Sequence, residues 1–199
     1  MTRRYVVAIM LLLAGGVATE AASRFIVARF PDRPLLPDLL LGVLPHVPEA
    51  RYVTSAAITV AFLLFAFYAF GHARSQIPAF IAMIAIMYLL RAALLVLTPF
   101  ANANNGAPAA FPLFQYGMFP SGHTAAVFLL ARFTDAKTAP AVRRAECVLA
   151  AIVVLGLLLS RSHYSIDIAG GALLAYFVER EWTDGHLFDP LQRLVDAGA

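Results

Sequence analysis

The chain has 199 residues, 61% of them hydrophobic and 14% charged, with a formal net charge of +3. Its mean hydropathy of +0.76 is an apolar excess beyond what one water-soluble core can use, so the composition points to a membrane protein. The basic residues form no stripe or run, which removes nucleic acid from the candidate partners, and a single cysteine, Cys147, excludes a disulfide framework.

Apolar runs long enough to cross the roughly 30 Å hydrocarbon layer of a bilayer occupy 5–22, 52–71 and 77–98. Three shorter runs follow at about 120–133, 145–160 and 163–178, each with a polar group such as Ser121, His123, Arg161 or Asp167 at one end. The expectation is an all-α polytopic protein with six transmembrane helices, forming a single integral membrane domain over residues 1–199. The opening "MTRRYVVAIMLLLAGGVATEAAS" also has the make-up of a secretory signal, with a basic start, an apolar stretch and a small-residue end. It is read here as a retained first span. Cys147, inside the fifth run, is read as a small packing residue.

Six spans put both chain ends on one side, together with the connections 72–76 and 134–144. Arg3, Arg4, Arg74, Lys137, Arg143, Arg144, Arg180 and Arg193 on that side outnumber Arg24, Arg29, Arg33, Arg51 and Arg161 on the other, so the termini are expected in the cytoplasm. The absence of an Asn-x-Ser/Thr sequon fits a bacterial inner membrane, with the polar clusters on its periplasmic side. Span parity has a further consequence. The segments "RPLLPDLL", "PSGHT" and "SRSHYSID" must share one face of the membrane although about 130 residues separate the first from the last. The loop 99–119, with Phe100, Phe111, Phe114, Tyr116 and Phe119, is expected to lie at that interface as an aromatic belt or lid.

Within "SRSHYSIDIAGG", His163 and Asp167 are four apart and would share one helix face. A carboxylate there can hold the imidazole in one tautomer and stabilise its cation. Arg161 supplies a fork of donors suited to phosphate. In "FPSGHT", Pro120 suits a first helical turn, Ser121 can cap it, and Gly122 lets another group approach the backbone closely. A helix start offers free N–H groups and a positive dipole end to an anion. His123 is then placed to exchange a proton with an oxygen of that anion. The plainer alternatives are an interfacial His with a Tyr anchor and a capping Asp in "SRSHYSID", and a helix cap whose His faces water in "FPSGHT".

Taken together, "PSGH" and "SR…H…D" resemble the signature of the type 2 phosphatidic acid phosphatase superfamily. The sphingomyelin synthase-related branch is closer, through "SGHT" (Ser121–Thr124) and "HYS-x-D" (His163–Asp167). Looser resemblances are "PLLPD" (Pro34–Asp38) before the second span and Arg91 inside the third. The chain departs from the phosphatase members in lacking their upstream Lys and Arg-Pro string. Only Ser162 lies between Arg161 and His163, where those members have five residues.

The resemblance implies a six-helix bundle and a phosphohistidine mechanism. His163 would be the nucleophile, Asp167 its orienting partner and His123 the proton carrier. Arg161, Ser121, Gly122, Thr124, Tyr164 and Arg91 would hold the substrate phosphate, and Asp38 would be a possible substrate contact. For Arg91 the alternative is snorkelling to the surface, for Tyr164 an interfacial anchor, and for Asp38 a simple turn. Fewer cations suit a singly charged phosphodiester better than a phosphomonoester. The expected activity is therefore transfer of a phospho-headgroup from a phospholipid to a lipid hydroxyl, of ceramide or diacylglycerol, within the bilayer. The alternatives are a phosphatase or phospholipase C-type hydrolase that uses water, and a non-catalytic lipid carrier or scaffold. No cofactor is implied, and Asp32, Asp38, Glu49 and Asp167 lack metal-ligand spacing. Headgroup, acceptor and oligomeric state stay open at this level.

Overall fold

The computed structural model describes residues 3–103 and 117–196, and all regular structure among them is helical. Phe111, Phe114 and Tyr116 of the expected aromatic lid lie outside the described residues. In chain order the helices are α1 (Arg3–Arg29), α2 (Leu39–Val43), α3 (Ala50–His72), α4 (Ile77–Leu97), α5 (Gly122–Phe133), α6 (Pro140–Leu159), α7 (Ser165–Thr183) and α8 (Asp189–Asp196). A short 3-10 turn at Arg74–Gln76 leads into α4. α1, α3, and α4 with its leading turn are long and apolar enough to cross a membrane.

The helix limits differ from the apolar runs for local reasons. α1 continues to Arg29 because nothing in "AASRFIVAR" breaks a helix before Pro31, and Arg24 pairs with Glu20 one turn back at 2.8 Å. α6 begins at Pro140, in the first turn where proline is tolerated, so Arg143 and Arg144 belong to the helix and not to the preceding connection. α5 begins at Gly122, and Pro120 precedes the helix because Ser121 takes the N-cap position. α7 begins only at Ser165, which leaves His163 and Tyr164 ahead of the helix. α8, unannounced by the apolar runs, buries Val195 against Ala8 and Ala82.

Packing follows the membrane-helix pattern of small residues inside and large apolar residues outside. α1 lies along α4 and buries Ala8, Gly15, Thr19, Ala22 and Ser23, while Met10, Leu13 and Val17 are exposed. α3 lies along α6 and likewise turns Leu63, Phe67 and Phe70 outward. Cys147 is exposed on α6, so it is not the packed residue expected from its sequence setting. α5 is the centre: it contacts α3, α4, α6 and α7, and Ala125, Val127, Leu129 and Leu130 are fully buried. At 12 residues it is only about 18 Å long. Its N-terminus is therefore held within the bundle by its neighbours.

Candidate active site

The N-terminus of α5 is organised by Ser121. Its Oγ accepts from the Thr124 amide at 3.2 Å and from the Thr124 hydroxyl at 3.1 Å, which leaves its own hydroxyl hydrogen as a donor. Thr124, expected among the phosphate ligands, thus spends its hydroxyl on Ser121. The Gly122 and His123 amides stand ahead of the first intrahelical hydrogen bond, made by Ala125 to the Ser121 carbonyl at 3.0 Å. His123 itself is exposed, whereas Ser121, Gly122 and Thr124 are buried.

The N-terminus of α7 meets this turn directly. The Ser121 amide donates to the Asp167 carbonyl at 2.9 Å. A Cβ at Gly171 would lie 2.5 Å from the Ser121 carbonyl oxygen, so a glycine is required there for the two helices to approach so closely.

His163 and Asp167 pair, but not as residues on one helix face. His163 precedes α7, and Asp167 is its third residue, so the carboxylate folds back over the helix start. Asp167 Oδ2 accepts from the Tyr164 amide at 2.9 Å and lies 3.2 Å from His163 Nδ1. The helix cap is what aims the carboxylate at the ring. Asp167 is fully buried, His163 is 5% exposed, and Asp167 Oδ1 is buried without a hydrogen-bond partner. With Nδ1 engaged by Asp167, Nε2 is the ring nitrogen left for chemistry. The His163 and His123 ring centroids are 5.8 Å apart at an interplanar angle of 69°, close enough for one small group to touch both rings.

The segment 33–41 is strapped across this pair. The Tyr164 hydroxyl accepts from the Leu36 amide at 3.2 Å and donates to the Ala101 carbonyl at 3.1 Å. Its ring stands edge-on to Phe100, with centroids 5.5 Å apart. Tyr164 is 2% exposed; it joins two loops, and its hydroxyl is already used by backbone groups instead of facing a phosphate. Asp38 caps α2 through the Leu41 amide at 3.1 Å and accepts from the Ser165 amide at the head of α7 at 2.6 Å. Partial burial acts to raise the Asp38 carboxyl, but these amides outweigh it and hold the group below the ordinary carboxylate value. Asp38 is thus a tie between two helix starts.

Arg161 and Arg91 differ in how much of their charge is committed. Arg161 sits at φ 51°, a left-handed conformation that closes the end of α6, with its amide donating to Leu158 at 3.0 Å. Such a backbone costs a non-glycine residue about 1–2 kcal/mol. Its Nη2 donates to the Leu41 carbonyl at 3.1 Å, while Nε is buried without a partner. Arg91 is 4% exposed and does not reach for the surface. Its Nε donates to the Pro120 carbonyl at 2.9 Å and its Nη2 to the Gly117 carbonyl at 3.0 Å, so it clamps the segment leading into α5. It lies beneath Gly122, where a Cβ would come within 3.0 Å of Nε.

The fold therefore gathers Ser121, Gly122, His123, Arg161, His163, Asp167, Arg91, Tyr164 and Asp38 around two converging helix starts. It assigns Tyr164, Asp38, Thr124 and two donors of Arg91 to holding those starts in place. Sequence reasoning passed over Arg33, whose Nε and Nη1 are buried without a partner; a loop arginine between Asp32 and Pro34 carries no local signal. Among the described residues no group of His, Cys, Asp and Glu side chains is placed to hold a metal ion. A cavity of about 320 Å³ at the opposite end of α5, lined by Phe80, Phe133, Trp182, Arg132 and Glu179, includes none of these site residues. Compared with known families and curated proteins, the chain matches neither a family model nor a curated sequence.

Proposed function

We propose that the chain is a lipid phosphotransferase of the type 2 phosphatidic acid phosphatase kind, with six membrane spans and a phosphohistidine intermediate. The observation that carries the reading is His163, held at Nδ1 by Asp167 at 3.2 Å and facing His123 at 5.8 Å between two helix N-termini. In this reading α5, α6 and α7 complete the bundle, the termini lie in the cytoplasm, and the histidines open toward the periplasm of a bacterial inner membrane.

His163 Nε2 attacks the phosphorus of a phospholipid, and an N–P bond forms as the P–O bond to the diacylglycerol breaks. The departing alkoxide takes its proton from the His123 imidazolium. Asp167 keeps the Nδ1 proton in place and stabilises the positive charge that grows on the ring. Arg161, the Ser121 hydroxyl and the amides of Gly122 and His123 meet the phosphoryl oxygens. In the return step the acceptor hydroxyl gives its proton to His123 and its oxygen bonds to phosphorus as the N–P bond breaks. A lipid hydroxyl of ceramide or diacylglycerol makes the enzyme a transferase. The exposure of His123 favours one second reading, in which water takes that place and the enzyme is a hydrolase.

Incubating the purified protein with mixed phospholipids, with and without ceramide or diacylglycerol, and identifying products by mass spectrometry tests the proposal. A new phospho-headgroup lipid that depends on the added acceptor is expected. A headgroup phosphate released into water supports the hydrolase, and a strong preference for phosphatidic acid over intact phospholipids would overturn the diester reading.

A further inference from the structure

Three guanidinium nitrogens near the site are buried without a hydrogen-bond partner: Nε and Nη1 of Arg33 and Nε of Arg161. An arginine stays protonated when buried, so its donors must be met by an acceptor or carry a large desolvation cost. Neither Asp38 nor Asp167 meets these donors, and Asp167 Oδ1 is itself buried without a partner. Asp38 is taken by the Leu41 and Ser165 amides, and Asp167 Oδ2 is shared by His163 and Tyr164.

The backbone brings Arg33 to this place. Its neighbour Pro34 accepts from the Ala101 amide at 3.0 Å, and the Ala101 carbonyl accepts from the hydroxyl of Tyr164, the residue after His163. Leu36 bonds to the same hydroxyl, and Leu41 to Arg161. Residues 34–41 thus lie over residues 161–165, and Arg33 stands at the head of the first segment as Arg161 does at the head of the second.

We propose that Arg33, together with Arg161, binds the anionic phosphate group of the substrate through its unpartnered guanidinium donors. This rests on the phosphoryl-transfer reading above. Nε and Nη1 lie on the two different edges of the guanidinium, each shared with Nη2, and either edge can grip two oxygens of a phosphate at once. Arg33 then supplies a cation in place of the upstream Lys and Arg-Pro string that the chain lacks, and it does so from a loop instead of a helix. It binds and orients the phosphate and takes no part in proton transfer.

The test compares wild type with Arg33→Gln, Arg33→Lys and a control, Arg29→Gln, at the exposed last residue of α1, all in detergent. Binding of inorganic phosphate is measured directly, with chloride as the salt control, and KM and kcat are measured for a short-chain phosphatidylethanolamine. Losing a charge-assisted bond predicts that Arg33→Gln weakens phosphate binding by roughly 10–100-fold. KM for the phospholipid should rise in proportion while kcat changes little. Arg33→Lys, which keeps the charge without the fork, should recover part of the affinity, and Arg29→Gln should match wild type. If Arg33→Gln folds poorly, the partial loss in Arg33→Lys carries the same test. A shift in lipid KM with unchanged phosphate binding identifies the intact lipid headgroup as the anion Arg33 holds. Wild-type phosphate and lipid binding that neither Arg33 variant alters overturns the inference, as does a wild type that binds neither probe. A protein that binds phosphate in an Arg33-dependent way yet turns over no lipid overturns the phosphotransferase reading and leaves the anion site standing.

Discussion

The two ends of α5 treat charge in opposite ways. At its C-terminal end, Arg132 donates Nε and Nη2 to Glu179 Oε2 at 2.9 and 2.6 Å and stacks over the Tyr176 ring at 5.1 Å. Arg143 there donates to the Thr134 carbonyl at 3.1 Å. Around its N-terminal end Arg161 Nε and Asp167 Oδ1 are buried and unmet, as are Arg33 Nε and Nη1 in the segment that leads to Asp38. One end closes on itself and stabilises the bundle. The other holds buried polar groups whose hydrogen bonds are unmet.

The largest expected effect breaks the N-terminal end alone. His163→Ala should remove turnover by about 10³-fold or more, and Asp167→Asn by about 10²–10⁴-fold through loss of the tautomer and its charge. Product formation in the lipid assay checks both, and helical content should stay at the wild-type level. Retained turnover in His163→Ala would sink the phosphohistidine scheme.

Breaking the other end should do the reverse. Arg132→Ala removes a partly exposed pair and its ring contact, so it should cost about 1 kcal/mol of stability with kcat unchanged. Thermal unfolding in detergent and the lipid assay read the two quantities separately. A large fall in kcat would show that the ends are coupled.

The smallest effect sharpens how the N-terminal end is assembled. The Asp38 carboxyl lies below its ordinary value in the folded protein because the Ser165 and Leu41 amides outweigh its partial burial. Its contribution to stability is therefore fully present above the unfolded carboxylate value of about 3.9. It is lost as pH falls through the lower folded value. Asp38→Asn should flatten the acid side of the unfolding profile and leave the neutral side nearly parallel to wild type. An unchanged acid limb would mean that the tie between α2 and α7 adds nothing to stability.

Much of the arrangement was legible in the chain because it depends on near neighbours. The Ser121 cap and its Thr124 bonds span three residues, and the pairing of His163 with Asp167 spans four. The pairing was right and its geometry was not: helical periodicity suggested one face, whereas a cap at Tyr164 bends the carboxylate back. Residues 34–38, 121–123 and 161–167, expected on one face of the membrane, lie against one another through the Ser121–Asp167, Asp38–Ser165 and Tyr164–Leu36 bonds. The roles of single polar side chains were another matter. Arg91, Tyr164 and Asp38 were candidates for touching substrate, and each spends at least one hydrogen bond on a backbone group from 26 to 128 residues away.

Composition and periodicity by themselves determined a helical, membrane-type chain, two capped helix starts, and a histidine with its carboxylate. These follow from apolar excess and from hydrogen bonds that close over one turn. Only the tertiary structure decided which cations have their donors met and which keep unmet ones. A guanidinium reads the same in any sequence window, and its function depends on whether distant carbonyls reach it before a ligand does.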